Sequence, residues 1–280
     1  MAQISQVAGT AFVVAEFRAE ENDSINPMYR DPIVPLFLDE NSRQVAERIA
    51  VGLVPVKEMV KVRTRYFDDM LDRRILSGCR QVVVLGAGLD TRAVRKSAEG
   101  VTYFEIDEGA ILAFKKACYA ANGISANLKF IPGNYVTDGL IGLLEQNGFD
   151  FGLPTFLIWE GNTMYLSKQD DHWILRQLVE HLENFHLSFD YMSEAMINKT
   201  TGHQDLDALV DKFVAMEAPW VTGFDDVGEL ASKHKLKVIE DFTIAQLYRD
   251  YRRNGEASVR VFGEYFSLCT LATRTRIEGE

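Results

Sequence analysis

A chain of 280 residues that is 47% hydrophobic can hold one large α/β domain or two small ones, with enough apolar surface for a substantial core. Acids outnumber bases 41 to 30, a net charge of −11, which argues against nucleic acid as a partner because phosphate binding needs a basic surface. Cys79, Cys118 and Cys269 are too few and too scattered for a disulfide framework or a zinc site, and there is no signal peptide and no run of the roughly 18 apolar residues that span a membrane, so a soluble, cytoplasmic, metal-free protein is expected.

Residues 1–76 precede the first strand and read as a helical cap. Thr10 to Ala19 is a short helix with one apolar face. Asp23 to Pro35 holds three prolines and reads as a loop, running into the apolar stretch Ile33 to Leu38. Ser42 to Ile49 and Val56 to Leu76 read as helices. The second carries Arg63-Thr64-Arg65-Tyr66-Phe67-Asp68-Asp69, in which Arg65 and Asp69 are four apart and can pair on the helix surface.

The next stretch organises the chain. Gln81 to Leu85 is a short apolar run, as for a strand covered on both faces. Gly86-Ala87-Gly88 allows a sharp turn with room for a ligand against the backbone. Asp90 and Thr91 can cap the helix that follows. Thr102 to Ile106 is the second strand, with Asp107 at its carboxyl end and Glu105 two residues earlier on the same face. Open α/β sheets bind ligands at that end of their strands, and a carboxylate there suits the two hydroxyls of a ribose. A dinucleotide site would want a third glycine where Thr91 stands, and Asp90 in the loop would repel a pyrophosphate. S-adenosylmethionine has no phosphate, so the loop favours it over NAD. An ordinary tight turn with no ligand remains the plainest alternative.

Glu108 to Ala121 is a helix ended by Asn122-Gly123. Leu128 to Ile131 is the third strand, with Asn134 and Tyr135 beyond it. Thr155 to Glu160 is the fourth. An acid closing the apolar run TFLIW is costly unless it has a partner, so Glu160 either caps the next helix or faces a ligand. Lys168 to Phe185 is an amphipathic helix whose His172 and His181 read as surface residues, and His186 to Met192 is the fifth strand. The alternation then stops: residues 196–224 hold an amphipathic helix followed by a proline and a tryptophan, placed either to close over a ligand or to serve as a connector. His203 lies within it as a possible base. Asp225 to His234 is the next helix, Leu236 to Phe242 the sixth strand and Val261 to Thr273 the last. Tyr248 to Gly255 is basic and aromatic, a solvated helix end or a contact for an anion.

VVVLGAGLDTRA, preceded by RTRYFDD (Arg63 to Asp69) and followed by YFEID and by WEGNTMYL (Trp159 to Leu166), resembles the leucine carboxyl methyltransferase family, including its tetracenomycin-type polyketide O-methyltransferases. The resemblance runs from about Tyr29 to about Thr273. It implies a Rossmann-like class I methyltransferase, an α/β fold with a seven-stranded, mostly parallel sheet, helices on both faces, a core over 77–280 and a reversed last strand. It implies S-adenosylmethionine as cofactor and a small-molecule methyl acceptor, in a monomer or homodimer.

On that resemblance Arg63 holds the cofactor's carboxylate, with Arg65 in reserve. Gly86, Ala87, Gly88 and Asp90 form the loop, and Glu105 and Asp107 serve the ribose. Asn134, where relatives often carry an acid that reads adenine, and Tyr135 lie nearby; Asn134 can equally be a turn residue. Glu160 faces the ammonium or sulfonium, and Tyr165 lines the pocket or the core. Glu160, Tyr165 and His203 are the catalytic candidates. A methyl sulfonium is already activated, so positioning and water exclusion dominate and no triad is needed. An NAD-dependent oxidoreductase and a non-catalytic S-adenosylmethionine-binding protein are the competing readings.

Overall fold

The central strand forms because Gln81–Leu85 (β1) is buried on both faces. Its side chains divide by the two-residue period of a strand: Val82 and Val84 enter one apolar cluster, Val83 and Leu85 the other. The computed structural model describes residues 6–40, 43, 44, 47, 53–252 and 260–274. The expected helix Ser42 to Ile49 and the Arg253-Asn254-Gly255 end of the basic stretch lie largely outside them.

Around β1 stand Thr102–Asp107 (β2), Leu128–Pro132 (β3), Thr155–Trp159 (β4), Phe185–Met192 (β5), Leu236–Thr243 (β6) and Phe266–Thr273 (β7). They make one seven-stranded sheet in the order β3-β2-β1-β4-β5-β7-β6. β1 to β5 pair in parallel, while β7 runs antiparallel to both β5 and β6. The order reverses between β1 and β4, and the crevice beyond their carboxyl ends is where such sheets take ligands. This is the expected fold class and topology.

The helices are Gln6–Glu20 (α1), Val54–Leu76 (α2), Arg92–Arg95 (α3), Gly109–Ala121 (α4), Leu140–Gln146 (α5), Lys168–His181 (α6), Glu194–Ile197 (α7), Gln204–Ala215 (α8), Val227–Lys233 (α9), Ile244–Tyr251 (α10) and Arg260–Glu264 (α11). α2 packs Val62, Phe67 and Leu71 on the β1 face that bears Val82 and Val84, in the same cluster as Phe213 and Trp220 from the region of α8. Leu140, Ile174 and Leu230, from α5, α6 and α9, cover the opposite face. Among the described residues no helix is long and apolar enough to cross a membrane.

Three expectations are corrected. The last strand does not begin at Val261: Arg260–Glu264 is helical and β7 starts at Phe266. Apolar residues alone cannot separate a buried strand from a short helix packed at its start. The helix after the glycine turn is a single turn; Asp90 Oδ1 accepts the N–H of its first residue, Arg92, at 2.6 Å, but Thr91 does not cap it, because its hydroxyl is taken up by Asp31, Arg18 and Arg95. The stretch from Tyr248 does fall on a helix end, one of its two expected readings: it closes α10, which a Thr243–Gln246 capping box begins. His172 is not a free surface residue either; its ring stacks on that of His234 with centroids 5.0 Å apart.

Asp171 on α6 is 1% exposed, and neither carboxylate oxygen has a hydrogen-bond partner among the described residues. Burial, with Asp170 alongside, pushes its carboxyl up to about 8. The unfolded chain releases this proton near the ordinary carboxylate pKa of about 3.9, so the folded state holds the extra proton between pH 4 and 8 and stability falls as pH rises through that window. Asp171→Asn cannot ionise. Urea unfolding at pH 4, 6 and 8 is expected to show the variant gaining on the parent across the window, by up to about 5 kcal/mol at about 1.36 kcal/mol per pKa unit. Parallel pH profiles would mean that the Asp171 carboxylate is compensated.

Candidate functional site

The carboxyl ends of β1, β2 and β4 open onto a cleft of about 500 Å³. Its floor is the loop Gly86 to Asp90, Asp107, Asn134 and the segment Glu160 to Asn162. Its roof is Ala11, Val14 and Arg18 of α1, Arg63 of α2 and residues Glu217 to Pro219.

The loop is held by backbone and side-chain bonds together. Gly86 has φ +62° and Gly88 φ +46°, conformations that favour glycine. A Cβ on Gly86 would lie 2.2 Å from the Asn162 side chain. Asn162 Nδ2 donates to the carbonyls of Leu85 and Glu160, at 3.1 and 2.7 Å, so it ties the ends of β1 and β4 together. The Gly88 N–H donates to Asp107 Oδ2 at 2.6 Å, and the Glu108 N–H to Oδ1 at 2.6 Å. Burial nonetheless leaves the Asp107 carboxyl above its ordinary value, against the pull of those two amides. A carboxylate accepts at about four lone-pair sites, so two remain for a ligand.

Opposite Asp107 lies a cluster of ions. Arg63 Nε donates to Glu160 Oε1 at 3.0 Å and Nη1 to Asp190 Oδ2 at 2.9 Å. Arg92 reaches Asp68 at 2.8 Å, Glu160 at 2.7 Å and Asp90. Burial raises the Glu160 carboxyl, but Arg92 and Arg63 outweigh it and hold the group below the usual carboxylate range. Asp190 is fully buried; burial dominates and keeps it above its ordinary value despite Arg63 and the Gly161 N–H, which donates at 2.6 Å. Arg18 links α1 to the loop through Asp31, Thr91 and the Leu89 carbonyl.

The expected residues divide. Arg63, Gly86, Ala87, Gly88, Asp90, Asp107, Asn134, Tyr135, Glu160 and Tyr165 all border the cleft. Glu105 does not: its Oε2 pairs with Lys115 at 2.6 Å, both side chains are fully buried, and burial raises its carboxyl to about 7. A strand alternates its faces, but Glu105 sits too deep along β2 to reach the opening. Arg65 is on the wrong side of α2, bonded to Asp69 and to the Met28 carbonyl. His203 packs against Tyr265 in a separate surface hollow with Arg249 and Glu264, so it is no base for the cleft.

Two further expectations change in meaning. Asp90 is neutralised by Arg92, so its charge no longer discriminates against a phosphate. Asn134 Oδ1 already accepts from the N–H groups of Val136 and Thr137, which makes it the cap of the turn Tyr135–Gly139. Tyr135 is held by Trp159 Nε1 at 3.0 Å and donates to Asn162 at 3.2 Å.

Arg18, Arg92, Asn162 and Asp190 were not singled out by sequence. Asp190 carried a signal, an acid inside the apolar run of β5, which is the argument that singled out Glu160. Arg18 and Arg92 lie on segments that read as ordinary amphipathic or capping sequence.

A sequence profile described as leucine carboxyl methyltransferase matches residues 11–179. A Streptomyces coelicolor protein provisionally named an S-adenosyl-L-methionine-dependent methyltransferase is 32% identical over 194 residues, covering 64% of this chain and 66% of its own length. The chain therefore spans just under two thirds of that curated relative. Among solved structures, a DUF574 family protein from Streptomyces avermitilis superposes with a TM-score of 0.63 at 12% identity, covering 93% of this chain and 97% of its own. Magnesium protoporphyrin IX methyltransferase from Synechocystis with bound SAH superposes at 0.52 and 7% identity, covering 85% and 91%. Identities this low speak to fold alone.

Among the described residues Arg92 is the single cation that touches three of the cluster's carboxylates, and it is 2% exposed. Arg92→Met is expected to lower stability by about 3–5 kcal/mol, because it leaves buried charge uncompensated. Arg92→Lys should restore only part of that, since an ammonium cannot serve three acceptors with a planar fork. Urea denaturation of both variants measures it; a loss under about 1 kcal/mol for Arg92→Met would mean that the carboxylates are compensated otherwise.

Proposed function

Because the chain belongs to the leucine carboxyl methyltransferase family, we propose that it is an S-adenosylmethionine-dependent O-methyltransferase acting on a carboxylate or hydroxyl of a small molecule. One observation carries the reading: a single cleft has a partly unsatisfied carboxylate, Asp107, on its floor beside the glycine turn and a guanidinium, Arg63, in its roof. That donor set fits a nucleoside that carries an amino acid. Asp107 has lone pairs for two sugar hydroxyls. Arg63 uses Nε and Nη1 internally, and its Nη2 has no partner among the described residues, so it can receive a carboxylate.

When bound, the cofactor would supply a methyl group activated by sulfonium charge, its S–CH3 bond breaking as an acceptor oxygen forms the O–CH3 bond, with S-adenosylhomocysteine as the leaving group and no redox change. The chain's part is to orient and to dry the site. Glu160, fixed by Arg63 and Arg92, stays ionised and makes the surrounding field more negative, which favours a cationic centre. Residues 196–224 act as a lid over the core 77–280, with Glu217 to Pro219 closing the roof and the described part of 1–76 capping the same domain. The net charge of −11 favours a small-molecule acceptor over nucleic acid in a cytoplasmic monomer or homodimer.

An NAD-dependent oxidoreductase is disfavoured by the family relationship rather than by loop charge. A non-catalytic binding protein would bind the cofactor and never convert it. Formation of S-adenosylhomocysteine from methyl-labelled cofactor incubated with metabolite extracts separates these readings. For the site itself, Asp107→Ala is expected to weaken S-adenosylmethionine binding by about 1.5–3 kcal/mol, the range for hydrogen bonds to a charged group, measured by calorimetry. Unchanged affinity would remove the ribose assignment, and absence of any binding heat in the parent would remove the cofactor.

A further inference from the structure

Beside the cleft, between α1, α2 and the stretch that follows α8, lies a second hollow of about 90 Å³. It meets the cleft at Val14, Arg63, Gly161 and Tyr165, which border both. Its inner wall is of another kind. Met59, Met164, Met192 and Met216 line it, beside Phe213 and Trp220 stacked 3.9 Å apart. Among its described lining residues Arg63 is the only charged side chain, and Glu160 and Asp190 already compensate that charge. The polar feature at the junction is the Tyr165 hydroxyl, to which Trp220 Nε1 donates at 3.3 Å.

On the methyltransferase reading above, we infer that this hollow holds the carbon body of the methyl acceptor, an apolar molecule with a short aliphatic chain or a single ring, whose terminal oxygen-bearing group lies at Tyr165. A charged or heavily hydroxylated body is excluded, because its polar groups would lose water and find no partners on that wall. Size sets the second limit. An apolar cavity of about 150 Å³ holds a benzene molecule, so ~90 Å³ takes a short chain at once and a ring after the walls adjust. Methionine walls adjust readily, since the side chain is unbranched and flexible. A fused polycyclic body does not fit.

The junction also bears on the acceptor's oxygen. No histidine, lysine or acid is among the described residues that line the hollow, and burial raises the Tyr165 hydroxyl above its ordinary value, so Tyr165 stays protonated and donates. An acceptor that is already ionised, an apolar carboxylic acid, needs no proton removed there, whereas an alcohol does.

The test is a homologous series of straight-chain carboxylic acids and primary alcohols, from about four to about ten carbons, read as the rise in melting temperature with and without S-adenosylhomocysteine. Affinity is expected to grow about fourfold per methylene up to a limiting length and then fall. Met216→Ala, on a partly exposed wall, should move the limit to longer chains, and Val56→Phe to shorter ones. Neither residue lines the cleft, so the response to S-adenosylhomocysteine should be the same in both variants as in the parent. Acids outranking alcohols of equal length fits an ionised acceptor; the reverse order overturns that part. A profile flat in chain length, or a limit that neither variant moves, overturns the inference as a whole. The two readings fail separately: no shift with S-adenosylhomocysteine removes the cofactor while the chain-length series still tests the hollow.

Discussion

The site depends on a buried exchange of charge between Arg63, Glu160, Arg92, Asp68, Asp90 and Asp190. These residues come from α2, from the loop after β1 and the start of α3, from the end of β4 and from within β5. Each carboxylate would be costly alone in that interior, and each guanidinium is satisfied only if three elements are docked at once. The cluster therefore couples the helical cap to the sheet edge. α2 cannot shift against β5 without parting Arg63 from the buried Asp190, and the turn cannot shift without parting Arg92 from Asp68 and Glu160. Hydrophobic packing of Val62 and Phe67 brings α2 to the sheet, but such packing is non-directional. The ion pairs set where along the sheet it stops.

That arrangement leaves the cleft chemically asymmetric. Asp107 is tied only to backbone amides and keeps lone pairs facing the opening. Glu160 is saturated by arginines and acts as a fixed charge rather than as a movable ligand or base. Asn162, which packs so closely on Gly86 that no side chain is tolerated there, sets the spacing between the ends of β1 and β4. The adjoining hollow continues the same space with a different solvent character. Polar groups line the space on one side of Tyr165 and apolar groups on the other. A fold that binds an amphiphilic pair of molecules benefits from separating the two environments, because each ligand is then disfavoured in the other's place.

Most of the sheet was legible because each strand is a short apolar run bounded by turn residues. Gln81–Leu85 was read to the residue, and the other parallel strands to within one position. The start of β7 was misread because Val261 and Phe262 are as apolar as the strand they precede, and only contact with α10 and its glycine-close packing at Gly263 makes that segment helical. In the site, the glycine turn, Asp107, Arg63 and Glu160 were legible, since each puts a chemically costly or permissive residue at the end of a recognisable element. Glu105 and Asp107 looked equivalent because they share a face. Depth along the strand separates them: one is sealed by Lys115 and the other reaches the cleft.

By itself the sequence determined the alternation of strands and helices, the turn at Gly86-Ala87-Gly88 and the acids that close β2 and β4, because these follow from local periodicity and from the backbone freedom of particular residues. Tertiary structure alone decided that His203 is remote and that Arg18, Arg92 and Asp190 belong to the site, whereas the pairing of Asp90 with Arg92 and the cap at Asn134 are local, two or three residues long. The placing of Arg92 and Asp190 turns on pairings across 60 residues or more of chain, Arg92 with Glu160 and Arg63 with Asp190. No local pattern encodes which guanidinium meets which carboxylate. That depends on how the helices settle on the sheet, and the settling is governed by volumes and buried charges summed over the whole core.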